Sequence, residues 1–275
     1  MTTWLITGCS TGFGRALAAA VLDRGDNAII TARRAEALAE LTAAHPDTAL
    51  ALPLDVTDHA QVVAAVTQGE ERFGAIDVLV NNAGHGYRAA VEEGEDEAVR
   101  ELFDTNFFGL VDVTKQVLPG MRARRSGVVV NLSSIGGRTS PVGSGYYSAS
   151  KFAVEGMSGA LRRELEPLGI RVIVVEPGGF RTDFAGRSLG QSAVPIPDYA
   201  STAGTRRKEN DDADGRQPGD PAKLAQAVLA VVADPNPPFR LLLGPDALTR
   251  AREELAGQQA ELEQWAELSG STDFD

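Results

Sequence analysis

Short runs of apolar and β-branched residues recur along the chain at Trp4 to Thr7, Ala28 to Thr31, Ala49 to Leu54, Ile76 to Val80, Val128 to Leu132, Val172 to Val175 and Arg240 to Leu243. Most are continuous apolar runs and not polar/apolar alternations, which is the pattern of strands covered by helices on both faces. Helix-length stretches separate them. The alternation predicts one doubly wound α/β domain over residues 1–275, with about seven parallel strands flanked by helices.

Two segments depart from this rhythm. Residues 183–221 carry Pro195, Pro197, Pro218 and Pro221 around the charge cluster Arg206-Arg207-Lys208-Glu209-Asn210-Asp211-Asp212. A stretch this long and polar inside a compact domain is expected to be an irregular substrate lid. Residues 246–268 place Leu248, Leu255 and Leu262 seven apart, with Trp265 and Leu268 extending the stripe. That spacing predicts an amphipathic C-terminal helix, packed on the body in preference to a partner subunit.

Charge narrows the field of functions. Against 26 Lys and Arg stand 38 Asp and Glu, a formal net charge of −12. Such a surface repels a phosphate backbone, so no nucleic-acid partner is expected. The longest apolar stretch, Ala227 to Ala233, is far short of the roughly 20 residues that span a bilayer. Trp4-Leu5-Ile6 runs directly into a glycine loop and reads as structure, not as an export signal. The single Cys9 permits no internal disulfide and points to a reducing cytoplasm. His45, His59 and His85 are scattered, and no metal site is expected.

The chemistry begins at Thr7-Gly8-Cys9-Ser10-Thr11-Gly12-Phe13-Gly14, between the first strand and a helical run starting at Arg15. Glycine lets a ligand approach the backbone closely, and the N–H groups and dipole of a new helix favour an anion. The loop therefore reads as a pyrophosphate cradle made by Gly8, Ser10, Gly12, Phe13 and Gly14, although three glycines alone also suit a tight turn. An NAD site places an acid at the end of the second strand for the ribose 2′-OH. Here Thr31-Ala32-Arg33-Arg34 offers two guanidiniums instead. Arg33 and Arg34 favour a 2′-phosphate, and hence NADP(H).

Tyr147 and Lys151 stand four apart at the start of a helical stretch that reaches about Leu168, so they share a helix face. Ser133-Ser134 closes the strand Val128 to Leu132, at the sheet edge where ligands of such folds bind. Asn106 and the Asn81-Asn82-Ala83-Gly84 turn are expected at the same edge.

With these residues the chain resembles the short-chain dehydrogenase/reductase family in its compact single-domain form, on a Rossmann fold. The resemblance covers roughly residues 3 to 182 and rests on Thr7 to Gly14, Asp55, Asn81 to Gly84, Asn106, Ser134 thirteen residues before Tyr147, Tyr147 to Lys151, and Pro177-Gly178 with Thr182. It implies that Asn106, Ser134, Tyr147 and Lys151 are catalytic. It implies that Asp55 and Val56 hold the adenine and that Asn82, Ala83 and Gly84 support the cofactor. Pro177, Gly178, Phe180 and Thr182 would lie along the nicotinamide half, with Tyr147 and Lys151 also touching the cofactor. Asn106 would hold a water that links Lys151 to bulk solvent. The expected partner is a small ketone, aldehyde or alcohol, and the expected assembly a homodimer or homotetramer. The rival readings are a non-catalytic NADP(H) sensor and an extended epimerase or dehydratase relative. The four catalytic-type residues weigh against the first, and the length and glycine spacing against the second.

Overall fold

The computed structural model describes residues 1–184, 186 and 188–274. Its strands are β1 (Thr3–Ile6), β2 (Asn27–Ala32), β3 (Ala49–Pro53), β4 (Val78–Asn81), β5 (Gly86–Arg88), β6 (Gly127–Leu132), β7 (Ile170–Pro177), β8 (Leu189–Gln191) and β9 (Arg240–Leu243). Seven of them form one parallel sheet in the order β3-β2-β1-β4-β6-β7-β9. The α-helices are α1 (Gly12–Asp23), α2 (Ala39–Ala44), α3 (His59–Phe73), α4 (Asp96–Phe103), α5 (Leu110–Arg124), α6 (Gly145–Leu165), α7 (Thr205–Ala213), α8 (Pro221–Ala233) and α9 (Pro245–Gly270).

The continuous apolar runs are explained by the two faces of this sheet. Leu5 packs with Ile29, Leu79 and Val129 beneath α3, α5 and α6. Its neighbour Ile6 packs with Ile30, Val80 and Val130 beneath α1 and α8. Successive side chains of a strand point to opposite faces, so a strand buried on both must be apolar throughout. Burying each such Leu or Ile side chain stabilises the fold by roughly 1.5 to 3 kcal/mol.

The chain runs outward from β1 to β2 and β3, then crosses back to β4 beside β1 and continues the other way. The connections leaving β1 and β4 therefore diverge. A crevice opens at their C-terminal ends, which is where ligands bind in such sheets.

Two expectations need correction. The stretch after Asp183 is not irregular throughout: β8 pairs in parallel with β5, and the charge cluster Arg206 to Asp212 lies on α7. Its polarity is matched by charges already on the body. Glu93, almost fully buried, ion-pairs with Arg207, and Arg88 bonds the Asp211 carboxylate at 2.7 Å. The C-terminal stripe, for its part, does not pack on the body along its length. Ala247 and Ala251 are buried against Ile135 and Leu242, but Leu255, Leu262, Trp265 and Leu268 are more than half exposed. The cause is position. β9 is the edge strand, and α9 runs past it after two turns. None of the described helices is long and apolar enough to cross a membrane.

Candidate active site

The crevice is a cleft of about 1030 Å³ lined by the β1–α1 turn, the ends of β2, β4, β6 and β7, and the first turn of α6. Gly8 and Gly12 both take positive φ, +72° and +57°, as the tight turn requires. A Cβ on Gly8 would sit 3.0 Å from the Ala83 Cα, and one on Gly14 would overlap the Gly8 carbonyl oxygen. Asn82 staples this loop to β4: its Nδ2 donates to the carbonyls of Thr7 at 2.8 Å and Gly8 at 3.1 Å. The Thr7 hydroxyl accepts from the backbone N–H groups of Asn82 and Ala83, both at 2.9 Å. Thr11, at the start of α1, makes no side-chain cap hydrogen bond, and it lines the cleft together with Gly12 and Phe13 of the first turn. Free helix N–H groups form an anion site.

Of the cofactor residues expected from sequence, Gly8, Ser10, Gly12 and Phe13 line this wall, and Arg33 does so at the end of β2. Arg34 is exposed and starts a short 3₁₀ turn over Ala35–Leu38, outside the wall. Gly14 lies under the loop, where its lack of a side chain permits the close packing just described. Asp55 and Val56 line the cleft beyond β3, and the Asp55 carboxylate is anchored by the Thr57 hydroxyl at 2.7 Å and backbone N–H at 3.0 Å. Asn82, Ala83 and Gly84 form its floor, with Pro177, Gly178, Phe180 and Thr182 opposite. Phe180 meets Phe13 edge to face with ring centroids 5.3 Å apart, so the strap after β7 closes over the glycine loop.

The catalytic-type residues gather at the other end. Ser134 caps the short turn Ile135–Gly137, its hydroxyl accepting the Gly136 N–H at 3.0 Å, and it lies within hydrogen-bonding reach of the Tyr147 phenol. Ser133 is buried next to the same turn, and its hydroxyl has no partner among the described residues. Burial pushes the Tyr147 phenol up to about 12, and the hydrogen bond from Ser134 opposes this by favouring the phenolate. Lys151 is almost fully buried. Its ammonium donates to the Leu132 carbonyl at 2.9 Å and lies 5.8 Å from the centre of the Tyr147 ring. Burial brings it down to about 8, while the negative charge of Glu155 acts in the opposite sense.

Asn106 stands apart from the cleft wall. It sits in a wide π-type turn, Asp104–Gly109, between α4 and α5, and is 1% exposed. Its amide pairs with both backbone groups of His85, accepting from N–H at 3.0 Å and donating to C=O at 2.9 Å, and also donates to the Ser150 hydroxyl at 3.1 Å. It thereby fixes the segment after Gly84 against the helix that carries Tyr147 and Lys151.

Sequence reasoning missed several groups at this site. Asp246 and Arg250, on the first turns of α9, line the cleft, and the Asp246 carboxylate accepts the Gly179 N–H at 2.8 Å. Their segment reads as a leucine stripe, which hides two polar positions facing the other way. Tyr87, Phe184 and Leu189 line the cleft near Tyr147, and the Phe184 ring lies 5.6 Å from the Tyr147 ring. Behind this wall Glu176, a lone acid in the apolar strand β7, is fully buried.

A model of the family described as short chain dehydrogenase matches residues 2–192. The chain belongs to the short-chain dehydrogenase/reductase family. It is similar to oxidoreductase BOA17 of Botryotinia fuckeliana, 42% identical over 272 residues that cover 97% of each chain. It is similar to 3-ketodihydrosphingosine reductase of Bacteroides thetaiotaomicron, 40% identical over 88% of this chain and 87% of that one. A crystal structure of a short-chain dehydrogenase from Streptomyces avermitilis superposes with a TM-score of 0.93 at 43% identity, covering 99% of this chain and 100% of that chain. Solved structures of similar fold are complexes with NAD in one case and with NADP in others. This short-chain dehydrogenase/reductase is an oxidoreductase, and the glycine cradle, the bare helix start and the extended cleft fit a nicotinamide dinucleotide.

Proposed function

We propose that the protein transfers a hydride between NADP(H) and a carbonyl or alcohol substrate, with Tyr147 as proton donor and acceptor. The observation that carries this reading is the convergence of Ser134, Tyr147 and Lys151 at one end of a cleft whose other end is the glycine cradle. Held along this cleft, NADPH would supply the hydride for carbonyl reduction, and NADP⁺ would accept it in the reverse direction. In the reducing direction the Tyr147 phenol, kept neutral by burial, donates its proton to the carbonyl oxygen. Ser134 hydrogen-bonds the same oxygen as charge develops on it. The phenolate left behind is stabilised by the Lys151 charge beside the ring. Asn106 serves this chemistry by holding the His85 backbone and the Ser150 side chain in place.

NADP(H) in preference to NAD(H) is supported by Arg33 and Ser10, which line the cleft where β2 ends in Thr31-Ala32 without a carboxylate. Tyr87, Phe184 and Leu189 beside Tyr147 favour a substrate with an apolar body. A ketone with an apolar body suits that wall, and one relative is named 3-ketodihydrosphingosine reductase. Residues 183–221 act as the substrate cover in this reading, with Ala185 and Arg187 outside the described residues. The test is NADPH oxidation by purified protein with a panel of long-chain and aromatic ketones, aldehydes and quinones, beside Tyr147→Phe. Turnover by the wild type and none by the variant is the expected result. Equal rates in the two would remove Tyr147 from the mechanism.

A further inference from the structure

One buried cluster beside the catalytic groups is unused by the reaction described above. Glu176 is the last residue but one of β7, beside Pro177 and the strap that follows it, and its side chain is fully buried. Glu155 follows Lys151 by one helical turn on α6 and is also buried. Arg138, directly after the Ser134–Gly137 turn, donates through Nε to both Glu176 carboxylate oxygens at 2.8 Å. Arg240, at the start of β9, donates to Glu155 Oε2 at 2.8 Å and lies 3.7 Å from Glu176 Oε1. Gly137 allows the turn to lie on α6, because a Cβ there would come within 3.1 Å of Glu155 Cγ and 3.2 Å of the Lys151 carbonyl oxygen.

Arg240 Nε faces both carboxyl groups, 2.8 Å from Glu155 Oε2 and 3.7 Å from Glu176 Oε1, and so places the two side by side. Ionised carboxylates have only acceptors, so they cannot bond each other without a proton between them. Glu155 Oε1 is buried and has no donor among the described residues, which is the place a proton on Glu176 would fill. An unmet buried carboxylate oxygen is costly, whereas a shared proton satisfies both groups at once. The charged groups around the pair are Arg138 from the turn, Lys151 from α6 and Arg240 from β9.

We propose that Glu155 and Glu176 share one proton and act as positioning residues. The pair ties the serine turn, the tyrosine–lysine helix and the nicotinamide-side strap together and keeps one negative charge behind Lys151. This rests on the roles assigned above to Ser134, Tyr147 and Lys151. Burial and the neighbouring Glu155 push Glu176 up to about 7, against the pull of Arg138, so the shared proton leaves near neutrality. The charge kept by Glu155 raises Lys151 against the effect of burial.

Two measurements test this, one of them independent of turnover. Infrared difference spectra between about pH 6 and about pH 8 should show a protonated carboxyl band that bleaches as pH rises, since ordinary carboxylates are already ionised at about pH 6. Glu176→Gln should abolish that band. Absence of the band from folded wild type overturns the shared proton even if the enzyme is fully active. In the second measurement, Glu155→Gln should move the alkaline limb of kcat for carbonyl reduction down by about one pH unit, through loss of a charge one helical turn from Lys151. A lower melting temperature with an unmoved limb would make the pair purely structural and overturn the positioning role. A wild type with the band and no turnover on any carbonyl would overturn that role together with the catalytic reading, while leaving the shared proton standing.

Discussion

The two walls of the cleft are held by different physics. The glycine-loop wall rests on an apolar sheet: Ile6 and Val80 beneath it are fully buried, and Thr7, Asn82 and Ala83 bind strand ends to loop with backbone-directed hydrogen bonds. The wall formed by residues 188–219 has almost no core of its own. It is latched to the 87–95 segment by polar contacts: Arg207 to Glu93, Arg88 to Asp211 and to Gln191, the Ile196 N–H to Glu93 at 2.8 Å, and the Ala193 N–H to Glu95 at 2.7 Å. Apolar burial is lost only when the whole fold opens, whereas a polar latch opens pair by pair, with little cost at the exposed Asp211 carboxylate and more at buried Glu93, whose loss leaves the Arg207 charge uncompensated. One wall is therefore suited to hold a cofactor in fixed geometry, and the other to open for a substrate.

The largest effect is expected where the walls meet. Tyr147→Phe should lower turnover by roughly 10² to 10⁴-fold while leaving NADPH binding within a few-fold, because only the proton is lost. Parallel loss of NADPH affinity would show that the phenol belongs to the fixed wall rather than to the chemistry. Arg33→Ala should weaken NADPH relative to NADH by roughly tenfold or more, as one charge-assisted contact is worth about 1.5 to 3 kcal/mol. Fluorescence titration with both cofactors decides it, and wild type binding NADH as tightly as NADPH would end the argument from Arg33.

Gly14→Ala probes the rigidity of the first wall. The added methyl meets the Asn82 side chain at 2.5 Å and should cost about 1 to 3 kcal/mol, read as a fall in melting temperature together with cofactor affinity. A variant that loses neither would mean that the loop yields as easily as the opposite wall. Glu93→Gln probes the latch: it removes the buried charge facing Arg207 and should lower the melting temperature, raise KM a few-fold and speed tryptic cleavage after Arg207 and Lys208. Cleavage at the wild-type rate would place the latch elsewhere. The smallest effect is on pH. Lys151 lies below its ordinary value, near 8, so it is charged below that pH and loses its charge above it. The reduction rate should accordingly fall about twofold between about pH 7 and about pH 8 and continue downward, and a rate that rises over this range would exclude Lys151 from the step.

The sheet, the glycine loop and the Tyr147–Lys151 helix were all legible in the sequence because each is written in local terms. A strand covered on both sides is apolar at every position, a tight turn under a ligand needs glycine, and two residues four apart on a helix share a face. Choosing Ser134 over Ser133 relied on the family's spacing, and the structure places Ser134, not Ser133, beside the phenol. What could not be read locally depends on residues distant in the chain. The charge cluster at Arg206 to Asp212 reads as too polar to fold until Arg88 and Glu93, over 100 residues earlier, are seen to meet it. Asp246 reads as one more acid on an amphipathic helix until its carboxylate is found on the Gly179 N–H. The same holds for Leu255, Leu262, Trp265 and Leu268, whose spacing determines a helix and an apolar stripe, while the end of the sheet at β9 determines that the body does not cover it. Local sequence sets which face of an element is apolar or charged. Which groups meet across the fold, and hence which carboxylates are buried together as Glu155 and Glu176 are, is set by the order in which the strands assemble.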